Sequence, residues 1–301
     1  MKYSKDQYIL RNLSKIRHKP WELFIISRII HNLNDSEIEF VCQQPVRTNE
    51  GIRYLDLCFP NLHLYLEIDE FHHLKDTNVV SDQNRKLEIL DVTSFVEKRI
   101  RIYDTDGNDK SLNNIISEID NLIALIKTIK EKLLSKDEFI PWDYNNKYSP
   151  ESHIKKGYLD VKDNVGFLNH RDALKCFGYT GGHYQKAGWG IPNSNKSIWF
   201  PKFFINDSWI NLLSDDFETI SMAAHPDSDW ACNITEDTYK KLITTPPVGT
   251  ILVFGFFKDV LGQTIYKFLG EFIQSVEESD INKIIFKRIN TRINLSGIEL
   301  K

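Results

Sequence analysis

The sequence predicts an α+β protein of two domains, and three observations predict it. Its 301 residues exceed what one core usually organises. Apolar residues in the first half alternate between helical and strand spacing. In the second half, short β runs lie between stretches rich in Gly, Pro, Trp and Asn. The first half therefore reads as α/β, and the second as a mainly β barrel or sandwich.

The elements follow in order. Leu10, Leu13 and Ile16, then Trp21, Phe24, Ile25, Ile29 and Ile30, recur at helical spacing over 7–34, and Pro20 divides the run into two helices. Residues 38–46 read as a strand. Residues 53–69 read as two strands joined by a Pro-Asn turn. A helix over 82–91, a strand over 96–103 and a long helix over 111–134 come next. The last carries an apolar stripe from Ile115 to Leu133, and Ser111 is its expected cap. The stretch 139–150, FIPWDYNNKYSP, reads as a linker or domain entry. Beyond it, 197–205, 250–257, 264–273 and 283–289 read as strands.

Composition excludes several classes. No apolar run approaches membrane-spanning length, and the N-terminal residues lack a signal-peptide core, so a cytoplasmic protein is expected. Cys42, Cys58, Cys176 and Cys232 are scattered without CxxC spacing, which argues against a structural zinc site and for free thiols. The net charge of -4 argues against a generic polycation. Residues 1–136 hold 20 basic and 21 acidic side chains, and 137–301 hold 18 and 21, so charge assigns nucleic-acid binding to neither half.

The chemistry concentrates in Tyr54 to His73. Leu55, Leu57 and Phe59 face one way and leave Asp56 on the other side. Leu64, Leu66 and Ile68 do the same for Glu67 and Asp69. A hairpin brings the three carboxylates onto one surface, where they repel one another unless a cation sits between them. Acids at strand ends often mark only a solvated face. Here Glu67 and Asp69 lie inside a strongly β-forming run, and His72 and His73 follow at its end. An all-oxygen site suits Mg2+ or Mn2+, and hence hydrolysis of a phosphodiester by activated water.

These residues carry a resemblance. Asp56, a Pro-containing turn and Leu-Glu-Ile-Asp-x-x-x-His ending at His73 resemble the very-short-patch-repair-like branch of the PD-(D/E)xK nucleases. Glu22 in KPWELFIISRIIH resembles that branch's helical acid, and Asp82, Arg85, Leu87 and Leu90 resemble its following helix. From YILRNLSKI and EFVCQQ to GYL, HRDALKCFGY, WFPK and YKFLGEF, the chain is similar to the AbaSI family of modification-dependent restriction endonucleases. The resemblance implies a nuclease domain over 1–136, a linker over 137–152 and an SRA-like (PUA-like) β-barrel over 153–301. It implies recognition of 5-hydroxymethylcytosine or its glucosylated form in double-stranded DNA. Three departures stand out. Asp69 occupies the place of the superfamily's usual lysine, Glu70 replaces a common glycine, and His72 is extra.

The resemblance assigns roles. Asp56 and Glu67 are the expected metal ligands. Asp69 is a third ligand or orients the attacking water. His73 handles a proton or binds phosphate, and Glu22 reaches the same metal or is a solvated helix acid. Arg85, with Lys86, is a candidate phosphate ligand, as are Arg288 and Arg292 with Lys287; for each, surface charge is the commoner role. A reader that encloses the base flips it out and needs an aromatic platform and polar partners. HPDSDWACN supplies Trp230, Asp227 or Asp229, Asn233 and His225. Trp199, Tyr184 and Trp189 are further candidates, although core packing is the usual fate of such rings. One site per chain and cleavage of two strands call for two sites or sequential visits, and a homodimer is expected as the commonest arrangement, with the Ile115–Leu133 stripe as a candidate interface or as simple packing. The alternatives are a mismatch- or lesion-directed DNA nickase and a non-catalytic modified nucleic-acid reader.

Overall fold

The computed structural model describes residues 4–48, 51–70, 90–91, 95–203, 209–224, 249–280 and 282–295. The chain divides into two compact units. Unit 1 comprises Met1–Tyr144 with Val260–Gln263, and unit 2 comprises Asn145–Asp259 with Thr264–Lys301. The stretch expected as a linker is shared out between them. Phe139, Trp142 and Tyr144 are buried. The Trp142 N–H donates to the Glu37 carbonyl at 2.7 Å, and the Tyr8 ring packs against Trp142 and Tyr144.

Unit 1 opens with α1 (Lys5–Ser14), started by a reciprocal cap between Ser4 and Gln7. Then comes α2 (Pro20–Leu33), with proline at its first turn, where no amide donor is needed. The strands are β1 (Val41–Thr48), β2 (Gly51–Phe59), β3 (Leu64–Asp69), β4 (Leu90–Asp91) and β5 (Val96–Arg101), in the sheet order β4-β1-β2-β3-β5. β1–β2 and β2–β3 are antiparallel, while β3–β5 and β1–β4 are parallel. Leu90 and Asp91 differ from expectation. The helical spacing that assigned them to a helix loses to pairing with Val46 and Arg47 as a short parallel strand. The rest of that expected helix, 82–89, lies outside the described residues.

α3 (Leu112–Ser135) is capped by Ser111, as expected. Its residues Ile115, Ile119, Leu122, Ile123 and Ile126 are buried in the chain's own packing. Arg28 of α2 pairs with Asp120 of α3 at 3.6 Å. Most of the stripe offered as an interface is thus consumed within unit 1.

Unit 2 holds α4 (Pro150–Lys156), β6 (Tyr158–Asp160), β7 (Gly166–Phe167), α5 (His170–Lys175), β8 (Gly188–Gly190), β9 (Lys196–Trp199), β10 (Trp209–Leu213), β11 (Thr219–Ala224), β12 (Thr250–Lys258), β13 (Thr264–Asp280), β14 (Lys283–Asn290) and β15 (Arg292–Asn294). The main sheet runs β10-β11-β14-β13-β12-β9-β8, with β7 beside β13 and with β15 and β6 paired separately. Its core gathers Phe167, Phe177, Phe200, Phe254 and Phe268. β13, 17 residues long, spans the unit and shifts register at Glu271/Phe272. Gly270 permits this with φ 112°, since a Cβ there would meet the Asn290 carbonyl oxygen at 2.5 Å. The expected closed barrel is not found among the described residues, because the end strands β10 and β8 do not pair with each other and the sheet stays open. No helix among the described residues is long and apolar enough to cross a membrane.

A candidate active site on the face of unit 1

Two strands and a helix bring the carboxylates together. β2 and β3 pair Leu57 with Leu66 and Cys58 with Tyr65. Continuing that register sets Asp56 beside Glu67 on the face away from Leu55 and Leu57. The ladder itself opens there, and the Ile68 N–H donates instead to Asp56 Oδ2 at 2.7 Å. Glu22, in the first turn of α2, is buried and comes to the same place. Lys19 Nζ donates to its Oε1 at 2.6 Å.

Gln43 joins the two acids. Its Nε2 donates to Glu22 Oε2 at 2.8 Å and to Asp56 Oδ1 at 3.2 Å. Sequence reasoning missed it. The available signal was a polar pair, Gln43-Gln44, inside the otherwise apolar run FVCQQPV.

The electrostatics hold these carboxyls above their usual range despite those donors. Burial first, then the Asp56 carboxylate, push Glu22 up to about 7 against the pull of Lys19. The same two causes push Glu67 up to about 8. Burial also raises Asp56. The Asp56 carboxylate thus raises both of its neighbours, while Asp56 itself is raised by burial and held down by the Ile68 N–H, Lys19 and Gln43. Asp69 differs. It accepts from Arg99 Nη1 at 2.7 Å and from Arg101 Nε at 3.3 Å, so its charge is already met by β5. Arg99 stands opposite Glu67 in register and also holds Glu97 at 2.6 Å. Neither arginine was singled out in the sequence.

Among the described residues, no group of three or more His, Cys, Asp or Glu is drawn tightly enough to cage a metal ion. The chemistry of the donor set is nevertheless that of a hard divalent cation. Glu22, Asp56 and Glu67 offer only oxygen, and each is held up by burial. His73, His72, Asp82, Arg85 and Lys86 lie outside the described residues.

Several reader candidates also lie outside them: His225, Asp227, Asp229, Trp230 and Asn233. The described candidates are divided. Tyr184 and Trp189 share Tyr179 as a neighbour, with ring centroids 5.5 and 5.7 Å from it. Tyr184 Oη also donates to the Gly188 carbonyl at 2.5 Å. Trp199 packs instead on Phe286, 5.2 Å away. Arg288 Nε donates to Glu218 at 3.2 Å, and its Nη2 pairs with the same carboxylate. Lys287 pairs with Glu278 at 2.9 Å. The exposed Arg292 lays its guanidinium over the Tyr158 ring at 3.6 Å.

Comparison with known proteins follows the same division. Residues 6–148 match the family described as restriction endonuclease PvuRts1 I-like, N-terminal. Residues 152–295 match the SET and RING associated (SRA) domain. Among solved structures, the chain is similar to the one described as the 5-hydroxymethylcytosine-specific restriction enzyme AbaSI. The two are 29% identical with a TM-score of 0.79, over 95% of this chain and 96% of that one. No curated protein matches the chain.

Proposed function

The chain is AbaSI-like in both halves and in their order, and from that premise we propose that it is a modification-dependent DNA endonuclease. Unit 2 reads 5-hydroxymethylcytosine, or its glucosylated form, in double-stranded DNA, and unit 1 hydrolyses phosphodiester bonds at a distance from the modified base. The observation that carries this is the meeting of Glu22, Asp56 and Glu67 on one face of the restriction-endonuclease half. A binding module has no use for a carboxylate that raises two others beside it.

Asp56 and Glu67 would hold Mg2+ or Mn2+, with Glu22 beside them. Such a cation would supply an activated water and stabilise charge on the phosphoryl oxygen. Asp69, tied to Arg99 and Arg101, orients groups around the site, and His73 manages a proton. In unit 2, Trp230, Asn233, Asp229 and His225, with Tyr184 and Trp199, enclose the flipped base. Arg85 and Arg292 contact phosphates; of the described arginines Arg288 and Arg292, Arg292 is the more exposed, and Arg288 is engaged by Glu218. Cutting both strands with one site per chain calls for a homodimer.

The test is parallel digestion of unmodified, hydroxymethylated and glucosylated duplexes with an RNA control, with and without chelator. Metal-dependent cleavage of modified DNA alone is the expected result. Equal cleavage of every duplex places this protein with nickases or general nucleases, and binding without cleavage makes it a reader. Sedimentation on DNA tests the dimer, and a monomer giving only nicked product removes it.

A further inference from the structure

Gln43 falls between two ladder pairs, Cys42 with Leu57 and Gln44 with Leu55, and so stands across from Asp56. Its φ is 54°, in the left-handed region that a glutamine within a strand rarely adopts. The turned backbone is braced by α1. Lys15 Nζ donates to the Cys42 carbonyl at 2.5 Å and to the Gln43 carbonyl at 3.1 Å. The fully buried Asn12 accepts from the Cys42 N–H at 3.0 Å. From this braced turn, one amide group spends both of its hydrogens on carboxylates from two different elements, Glu22 of α2 and Asp56 of β2.

A glycine would adopt this φ without strain, and an asparagine with little. Neither has a donor that reaches both acids. Strain kept at a functional site, where a less strained residue would serve the backbone, points to the side chain as the reason. We infer that Gln43 is a positioning residue, which holds the helix acid Glu22 against Asp56 so that the two present one cation-binding edge beside Glu67. The inference rests on the metal-dependent cleavage proposed above.

The test uses the full chain with Gln43→Gly and Gln43→Asn. Mn2+ alone is titrated calorimetrically without DNA, and cleavage of hydroxymethylated duplex is followed against Mn2+ concentration. Both variants are expected to melt at or above the parent's temperature. Their half-saturating Mn2+ is expected to rise about tenfold, the usual consequence of losing a group that orients metal ligands. Cleavage at saturating Mn2+ should largely recover. A folded variant that binds Mn2+ and cleaves with the parent's half-saturation overturns the inference. If the glycine variant fails to fold, the asparagine variant decides. Failure of both to fold also overturns it, because Gln43 is then a structural residue. A parent that binds no Mn2+, or cleaves in chelator, instead sinks the metal-dependent reading, a different outcome from parent-like variants of a metal-dependent parent.

Discussion

Two carboxylates, the half-buried Glu67 of unit 1 and the buried Glu271 of unit 2, teach opposite lessons. Glu271 accepts from Lys196, from Thr250 and from Asn290, the last at 2.8 Å. These partners hold it below the usual carboxylate range despite burial. Glu67 has Asp56 for a neighbour and is pushed up to about 8. A buried charge with full compensation is part of the framework. One kept short of compensation marks a candidate functional site.

Substitutions can break or sharpen that contrast. The largest expected effect is catalytic. Asp56→Ala or Glu67→Ala should lower cleavage by about a thousandfold or more while DNA binding survives, because a stabilising term of several kcal/mol is lost. An active Glu67→Ala protein would sink the site. Next, Glu271→Ala should destabilise unit 2 by about 3 kcal/mol in denaturant unfolding, since Lys196 loses its counter-charge and Asn290 its acceptor. A smaller change would show that Lys196 escapes to water.

The third effect has the opposite sign. Without metal, Glu67→Gln should raise stability by about 1 kcal/mol at pH 8, as relief of a functional strain does. The parent should follow the matching pH course. The carboxyl of Glu67 binds its proton more tightly folded than unfolded. Its contribution is therefore complete below about pH 4.5 and is lost as pH rises through about 8. Melting curves of metal-free protein should fall across that window, and Mg2+ should restore more stability at pH 8 than at pH 5. A flat profile would mean that the acids are relieved by groups outside the described residues.

The smallest effects concern DNA contacts. Arg292→Ala should flatten the slope of log affinity against log salt by about one, the loss of one phosphate contact. Arg288→Ala should leave it nearly unchanged, because Glu218 already holds that side chain.

The nuclease half was more legible in the sequence than the reader half. Alternation alone separates Asp56 and Glu67 from Leu55, Leu57, Leu66 and Ile68, and the described burial pattern follows it. Pro20 and Ser111 mark helix starts by local chemistry, and α2 and α3 begin there. The left-handed turn at Gln43 was not legible, because it is braced by Asn12 and Lys15, about 30 residues earlier. The engagement of Asp69 by Arg99 and Arg101 depends on the parallel pairing of β3 with β5, which no local spacing announces. In unit 2, β10 and β11 escaped notice because WINLL and TISMAA are short. The openness of the sheet is set by which edges meet, a property of long-range pairing.

The bond from the Ile68 amide to the Asp56 side chain gives the site its own reporter. In a sheet, a backbone hydrogen is shielded from solvent exchange by a carbonyl that moves only when the strands part. Here the shield is a carboxylate oxygen, for which a cation bound at the proposed site would compete. The exchange lifetime and nitrogen shift of this one amide should therefore follow occupancy of the catalytic edge. Its neighbours along β3, bonded to ordinary backbone, should remain silent.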